Sequence, residues 1–292
     1  MTIASSKGRT RPGNIFIRII LILCSLLIIY PFLYLLAVSF SSKLPILQNR
    51  VWLYPIGFNL TAYSKVFQVK NFLRSYGNTI LYTVVGTSIS LIMTTLTAYP
   101  LSKPYLKGRK FFNFMIMFTM MFGGGLIANY ILIKSLHMIN TIWAIVIPGA
   151  VSAWNMVLMR TYFEQLPESL EESAKLDGAN DFQILYKIVL PTSTPIISTM
   201  VLYYAVGQWN SWFAPFIYLS DADKFPLQLV VRGIVLTGEM NVMQQIANGG
   251  EVVLANSLKY AIIMISMIPM LILYPLIQRY LVKGIMVGAI KG

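Results

Sequence analysis

Unbroken apolar runs, separated by short polar joints, set the pattern of the chain. Stretches rich in Ile, Leu, Val, Phe and Met fall at about residues 15–38, 79–101, 111–133, 142–159, 194–219 and 258–281. Crossing a hydrocarbon layer about 30 Å thick at about 1.5 Å per residue takes roughly 20 apolar residues, so each run reads as a membrane-crossing helix. The pattern predicts an all-α membrane protein with about six spans in a single domain over residues 1–292, the fourth span being the shortest. Three connections are too long for simple turns. Residues 41–75 carry Trp52, Tyr54, Pro55, Tyr63 and Phe67, a mix suited to the membrane–water interface. Residues 161–190 are rich in acids, and residues 220–257 include Gly238, Gly249 and Gly250, which suits a loop that adapts to a partner.

Composition agrees: 57% of residues are hydrophobic and 11% charged, where a soluble domain has roughly 25% charged. The formal charge of +13 does not point to nucleic acid, because the bases flank apolar runs, where lipid head groups and topology account for them. With the N-terminus inside, 14 of the 23 Lys and Arg lie on the cytoplasmic side. The loop holding Lys103, Lys107, Arg109 and Lys110 is the densest, so both termini are expected in the cytoplasm. The basic start followed by an apolar run superficially resembles a signal peptide. That run is too long for one and no small-residue cleavage site follows, so it reads as a retained first span. Cys24, the single cysteine, lies within it and has no partner for a disulfide.

All ten carboxylates fall outside the predicted spans: Glu164, Glu168, Glu171, Glu172, Asp177 and Asp181 inside, and Asp221, Asp223, Glu239 and Glu251 outside. Ion-coupled transporters generally keep an ionisable group near mid-membrane, so ion-driven transport is disfavoured. The only histidine, His137, sits in a short external loop. No catalytic residue, metal site or cofactor is therefore assigned to the chain, and energy for transport has to come from another polypeptide.

The acidic connection contains LPESLEESAKLDGANDFQILYKIVLPTSTP. Pro167 suits a first helical position, and Glu168, Glu171 and Glu172 complement the helix dipole. Gly178 can take the left-handed conformation that ends a helix. Asn180 and Gln183 form a capping-box pattern for a second helix, expected to run to Val189 and stop at Pro191. Leu170, Ala174 and Leu176 on the first helix, and Phe182, Leu185, Tyr186 and Val189 on the second, give apolar stripes. The pattern alone admits two readings: a hairpin lying against the membrane, or a knob docking in a groove of a soluble partner.

This segment resembles the EAA loop of membrane subunits of ATP-binding-cassette (ABC) importers, whose pattern is Glu-Ala-Ala, three residues, Gly, nine residues, Ile, one residue, Leu-Pro. Here it falls on Glu172, Ser173, Ala174, Gly178, Ile188, Leu190 and Pro191, with Ser173 the one departure. The DGA of Asp177 to Ala179 and a chain end reading QRYLVKGIMVGAIKG are similar to the carbohydrate branch with six-span subunits, and Glu171 directly precedes the motif within the same coupling loop. The resemblance implies a type I importer-like permease fold in a bacterial inner membrane. It also implies a heterodimer with a second permease subunit, two ATPase subunits holding ATP and Mg, and an extracytoplasmic solute-binding protein. In such importers the EAA loop docks in a cleft of the ATPase. The tail, here Lys283, Gly284, Gly288 and Lys291, lies against the ATPase pair, and the external loop, here within 220–257, reaches the binding protein. Importers of polyamines or amino acids are the nearest alternatives.

Saccharide sites pair aromatic faces with hydrogen-bonding groups. Candidates in or near the spans are Trp154, Asn155, Tyr203, Tyr204, Gln208, Trp209, Asn210 and Trp212, although tryptophans near span ends also serve as interface anchors. Gly123 to Gly125 marks a bend or a close helix approach.

Overall fold

The computed structural model describes residues 12–69, 71–236 and 253–289. Its helices are α1 (Pro12–Ser39), α2 (Lys43–Leu47), α3 (Thr61–Val66), α4 (Phe72–Ser102), α5 (Arg109–Met121), α6 (Gly125–Ser135), α7 (Trp143–Val146), α8 (Ala153–Phe163) and α9 (Glu168–Leu176). They continue with α10 (Asp181–Ile184), a π-turn (Leu185–Val189), α11 (Leu190–Thr192), α12 (Thr194–Trp209), α13 (Phe213–Tyr218), a 3-10 turn (Ala222–Lys224), α14 (Leu227–Leu236) and α15 (Val253–Ala289). No strand occurs among the described residues. The chain divides into two units, one of residues 1–69 and 234–265, the other of residues 70–233 and 266–292.

In the first unit, α1 is apolar on every side and open along most of its length. A helix of that kind needs lipid or another apolar surface around it. Only its end is packed: Ala37 and Val38 bury against Val51, with Tyr34, Ile46, Ile56 and Tyr260 around them. Phe40 stacks on Phe58 and on Tyr63 at 5.4 and 4.7 Å between centroids, and the Ser39 and Tyr63 hydroxyls lie 2.9 Å apart. Of the aromatic residues expected at the interface, Tyr63 packs on the end of the helix, whereas Trp52, Tyr54 and Phe67 are exposed.

The second unit is organised around α4, which packs against α12 and α8. Its buried face includes Ser75, Thr79, Thr83, Thr87, Ser90, Thr94 and Ala98, spaced three or four residues apart, with Gly86 beside Thr87. Without a hydrophobic drive between helices in lipid, small residues of this kind let backbones approach and gain van der Waals contact. At Gly86 the approach is tightest, because a Cβ there would lie 2.7 Å from Gln208 Cδ on α12. The Thr94 and Tyr204 hydroxyls meet at 2.6 Å, and Tyr204 also accepts from the Ser152 backbone N–H at 3.3 Å.

At the start of α4, side chains tie down the segment after α13. Arg74 pairs with Asp223 at 2.5 Å and Asn71 Nδ2 donates to the same carboxylate. Asn78 Nδ2 donates to the Asp223 and Phe225 carbonyls, and the Tyr82 hydroxyl to that of Lys224. Lys224 in turn donates to the Asn140 carbonyl. Asn140 holds a positive φ of 61° while its side chain accepts from the Ser220 and Asp221 amides.

The apolar runs do not all become straight helices. Among the described residues, three helical stretches are long and apolar enough to cross a membrane: Phe16–Ser39, Phe72–Ser102 and Ser257–Pro275. The expected spans at 15–38, 79–101 and 258–281 lie in α1, α4 and α15, each of which extends beyond its apolar run. The expected span at 111–133 is two helices, α5 and α6, bent by 115°. Gly125 takes a φ of +75° there, and neither Gly123 nor Gly125 has an atom within 4 Å of a Cβ position. The glycine run is therefore a bend and not a close approach. The run at 142–159 is not one helix either: α7 ends at Val146, and α8 starts only at Ala153. Pro148 and Gly149 separate them, one lacking an N–H and the other favouring non-helical backbone. In the run at 194–219, α12 stops at Trp209 and α13 follows after a three-residue break.

Candidate functional site

Between α8 and α12 the chain forms a helical hairpin. Glu168 and Glu171 lie in the first turn of α9, where they complement its dipole, and Pro167 caps it one position earlier than expected. At its end the Gly178 amide donates to the Lys175 carbonyl and the Ala179 amide to that of Ala174. Gly178 has a φ of +81°. These two bonds and a left-handed glycine make a Schellman ending. Asn180 starts α10 with a reciprocal capping box: its side chain accepts from the Gln183 amide, while the Gln183 side chain accepts from the Asn180 amide, both at 2.9 Å. The second helix does not stop at Pro191, as its sequence suggested. A wider π-turn at Leu185–Val189 precedes the proline, which then sits in the first turn of α11. There its missing N–H breaks no regular ladder. The chain turns by 84° into α12 only after Thr192.

The hairpin has two unlike faces. Ala174, Ile184, Leu185 and Val189 are buried in a core with Ala98, Tyr99, Met156, Met159, Phe163 and Met200, and Ile188 and Leu190 pack at its margin. Leu176, Phe182 and Tyr186 instead point outward, 89%, 75% and 74% exposed. The single apolar stripe expected for the second helix is therefore split: Leu185 and Val189 go in, Phe182 and Tyr186 stay out. Glu172, Ser173, Asp177 and Pro191 are exposed as well. Leu176, exposed next to the turn and beside Glu172 and Asp177, gives a surface suited to a protein partner, while Phe182 and Tyr186 line an apolar cleft with Leu91, Ile92, Leu96 and Ile197.

Charged pairs fix the root of the hairpin. Lys103, directly after α4, pairs with Glu171, each side chain 12% exposed, and its ammonium lies 4.7 Å from the Tyr99 ring centroid. Arg109 pairs with Glu164 and donates from Nε to the Leu101 carbonyl at 2.8 Å. Lys175 lies over the Tyr105 ring and donates to its hydroxyl at 3.4 Å. That hydrogen bond holds the Lys175 pKa above the usual lysine value, so the ammonium stays charged at any physiological pH. A polar cleft of 560 Å³ runs along these residues. Removing one partner of the Lys103–Glu171 pair strands the other in a nearly dry place. Lys103→Met or Glu171→Met alone is expected to destabilise the detergent-solubilised protein by about 2 kcal/mol, and the double variant by less than either. Thermal unfolding of the three variants checks this through the double-mutant cycle.

Sequence comparison matches residues 2–287 to the family described as the inner membrane component of binding-protein-dependent transport systems. The chain belongs to this family. It is 39% identical over 264 residues to Protein LplC of Bacillus subtilis (strain 168), covering 90% of each chain. To the polygalacturonan/rhamnogalacturonan transport system permease protein YtcP of the same organism it is 37% identical over 274 residues, covering 93% of this chain and 96% of that one. Its fold is similar, with a TM-score of 0.84 and 36% identity, to a chain in the crystal structure of a bacterial ABC transporter involved in the import of the acidic polysaccharide alginate. That likeness covers 96% of this chain and 99% of the other.

Within this transport component the eight residues considered for a solute path do not all share one setting. Tyr204 and Trp209 are packing residues, the Trp209 indole donating to the Ser266 carbonyl at 3.0 Å and meeting Tyr76 edge to face. Asn155 is buried in α8 and Gln208 lies against Gly86. Trp154 and Tyr203 are exposed. Asn210 and Trp212 lie together in the break after α12, where Gln228 donates to Asn210 and Arg232 covers the Trp212 ring. At the chain end α15 carries Lys283, Gly284 and Gly288, while Lys291 lies outside the described residues. Of the connection over 220–257, residues 237–252 are also outside them.

The pairing of Lys103 with Glu171 and the stacking of Arg232 on Trp212 were not read from the sequence. A charge isolated in the apolar run LQLVVRGIVL was a signal for Arg232. No signal marked Lys103, because it sits among other bases of the same loop.

Proposed function

We propose that this chain is the permease subunit of an ABC importer for oligosaccharides, and that the hairpin around Gly178 couples it to ATPase subunits. The observation that carries the reading is the turn at Gly178, with Glu172, Leu176 and Asp177 exposed beside it, on a hairpin whose other face is locked into the core. A rigid knob rooted in the core transmits displacement. The relatives named for polygalacturonan and alginate import support a saccharide as the solute. In this reading a second, different permease subunit completes the pathway, and two ATPase subunits bind ATP and Mg and carry out hydrolysis. A solute-binding protein delivers the sugar from outside. The chain crosses the bacterial inner membrane about six times, with α5–α6, α7–α8 and the α12 region as broken spans and both termini in the cytoplasm.

Movement of the ATPases pulls the knob, and the core around Met156, Met159 and Met200 passes that pull to α4, α8 and α12, which pack there together. Glu172 and Asp177, exposed at the tip, offer carboxylates to cationic groups of the ATPase. Replacing Leu176 by Asp and Glu172 by Lys changes the exposed surface beside the turn without touching the buried face. The expected result is that the variant reaches the membrane at wild-type level but no longer co-purifies with its ATPase, solute uptake falling at least ten-fold. Retention of the ATPase by that variant would overturn the assignment of the tip.

A further inference from the structure

α14 is a ten-residue apolar helix, Leu227–Leu236, with one charged residue, Arg232. Its guanidinium carbon stands 3.8 Å from the centroid of the Trp212 ring. One turn earlier on the same face, Gln228 Nε2 reaches Asn210 Oδ1 at 3.5 Å. Asn210 and Trp212 occupy the break between α12 and α13, at the end of α12 remote from the hairpin, about 24 Å along its axis. Phe213, half exposed, meets Trp212 edge to face at 5.4 Å. Among the described residues no carboxylate pairs with Arg232 and no acceptor takes its N–H groups.

A guanidinium held over an indole face by its carbon leaves N–H groups at its edge that can bond a planar anion in pairs. Side-chain amides beside it suit hydroxyl groups, and an exposed aromatic ring suits the C–H face of a sugar. We propose that Arg232, stacked on Trp212 and flanked by Asn210 and Gln228, is a recognition site for the carboxylate of an acidic sugar, making the imported solute a uronate-containing oligosaccharide. This rests on the saccharide reading above and goes beyond it in naming the charge of the solute. Lipid phosphate is the weaker match, because surface binding of anionic lipid is built from clustered bases. Lys224, the other base in the segment after α13, is already engaged with Asn140 and Asp221. The alginate importer and the polygalacturonan permease are named for polymers of uronic acids, which agrees with the assignment.

The test uses the complete importer, with its partner permease, ATPase pair and binding protein, in liposomes, and reads trigalacturonate taken up per ATP hydrolysed. Arg232→Gln is expected to lower that ratio at least ten-fold, and Arg232→Lys by less, since the charge stays while the fork is lost. If uptake and hydrolysis fall together, Arg232 docks the binding protein or anchors the subunit in lipid, and the proposal is overturned. An unchanged ratio overturns it too. Wild-type uptake of maltotriose but not trigalacturonate overturns the acidic solute and leaves the saccharide reading standing; uptake of neither overturns both.

Discussion

Gly178→Asp is expected to abolish solute uptake while the protein still accumulates in the membrane. The glycine sits at +81° in φ, and no atom lies within 4 Å of the position a Cβ would take, so an added side chain meets a backbone penalty and not a steric wall. Forcing an L-residue into that region costs about 1 to 2 kcal/mol, too little to unfold a helical core held by Ile184, Leu185 and Val189. It is enough to open the Schellman ending and re-aim α10, and with it Phe182 and Tyr186. The aspartate also adds a second carboxylate next to Asp177. Gly178→Ala, which adds only the strain, is expected to keep part of the activity. Uptake in cells, read beside the amount of protein in the membrane, checks both, and unimpaired uptake by Gly178→Asp would refute the coupling role of the turn.

A second large effect is expected at the opposite kind of glycine. Gly86 has ordinary helical backbone but no space: its Cβ would fall 2.7 Å from Gln208 Cδ and 2.8 Å from Nε2. An alanine can be accommodated if the Gln208 side chain swings away. Gly86→Leu cannot, and overpacking a close helix contact costs about 1 to 3 kcal/mol. Because α4 also carries the contacts to α8, separation from α12 propagates through the second unit. The expected outcome is a fall of several-fold in membrane-inserted protein and a lower unfolding temperature in detergent. Gly86→Leu combined with Gln208→Ala is expected to recover a good part of the loss, which a general intolerance of leucine at that position would not allow.

How far the chain could be read without coordinates depended on whether local chemistry or distant packing decided the outcome. The hairpin was legible nearly in full, because Gly178, Asn180 and Gln183 act on backbone groups within a few residues of themselves. Its continuation past Pro191 was not, since a π-turn has no side-chain signature. Apolar runs located the helical regions but not their breaks. At Pro148 and Gly149 the cue was present and was outweighed by the length of the run. At 123–125 the glycines mark a break, and the bend of 115° is what they permit. The faces of the second hairpin helix were misjudged for a different reason: hydrophobicity says that Phe182 and Leu185 avoid water, not which of them the core has room for. Among the solute-path residues, Tyr204 and Trp209 look the same in sequence as Trp212. Only the partners, Thr94, Ser266 and Arg232, separate packing residues from a site.

Helix α4 is bound at both extremities. Lys103, one residue past its last turn, holds Glu171 of the hairpin; Arg74, Asn78 and Tyr82 in its first turns hold the strap around Asp223. With 31 residues it is about 46 Å long. A stiff beam of that length, tipped by about 5°, sweeps its far end through about 4 Å, comparable to the breadth of a water molecule and its hydrogen bond. No unfolding or rotamer change is needed to carry a tug on the Glu171 hook to the strap; leverage alone suffices.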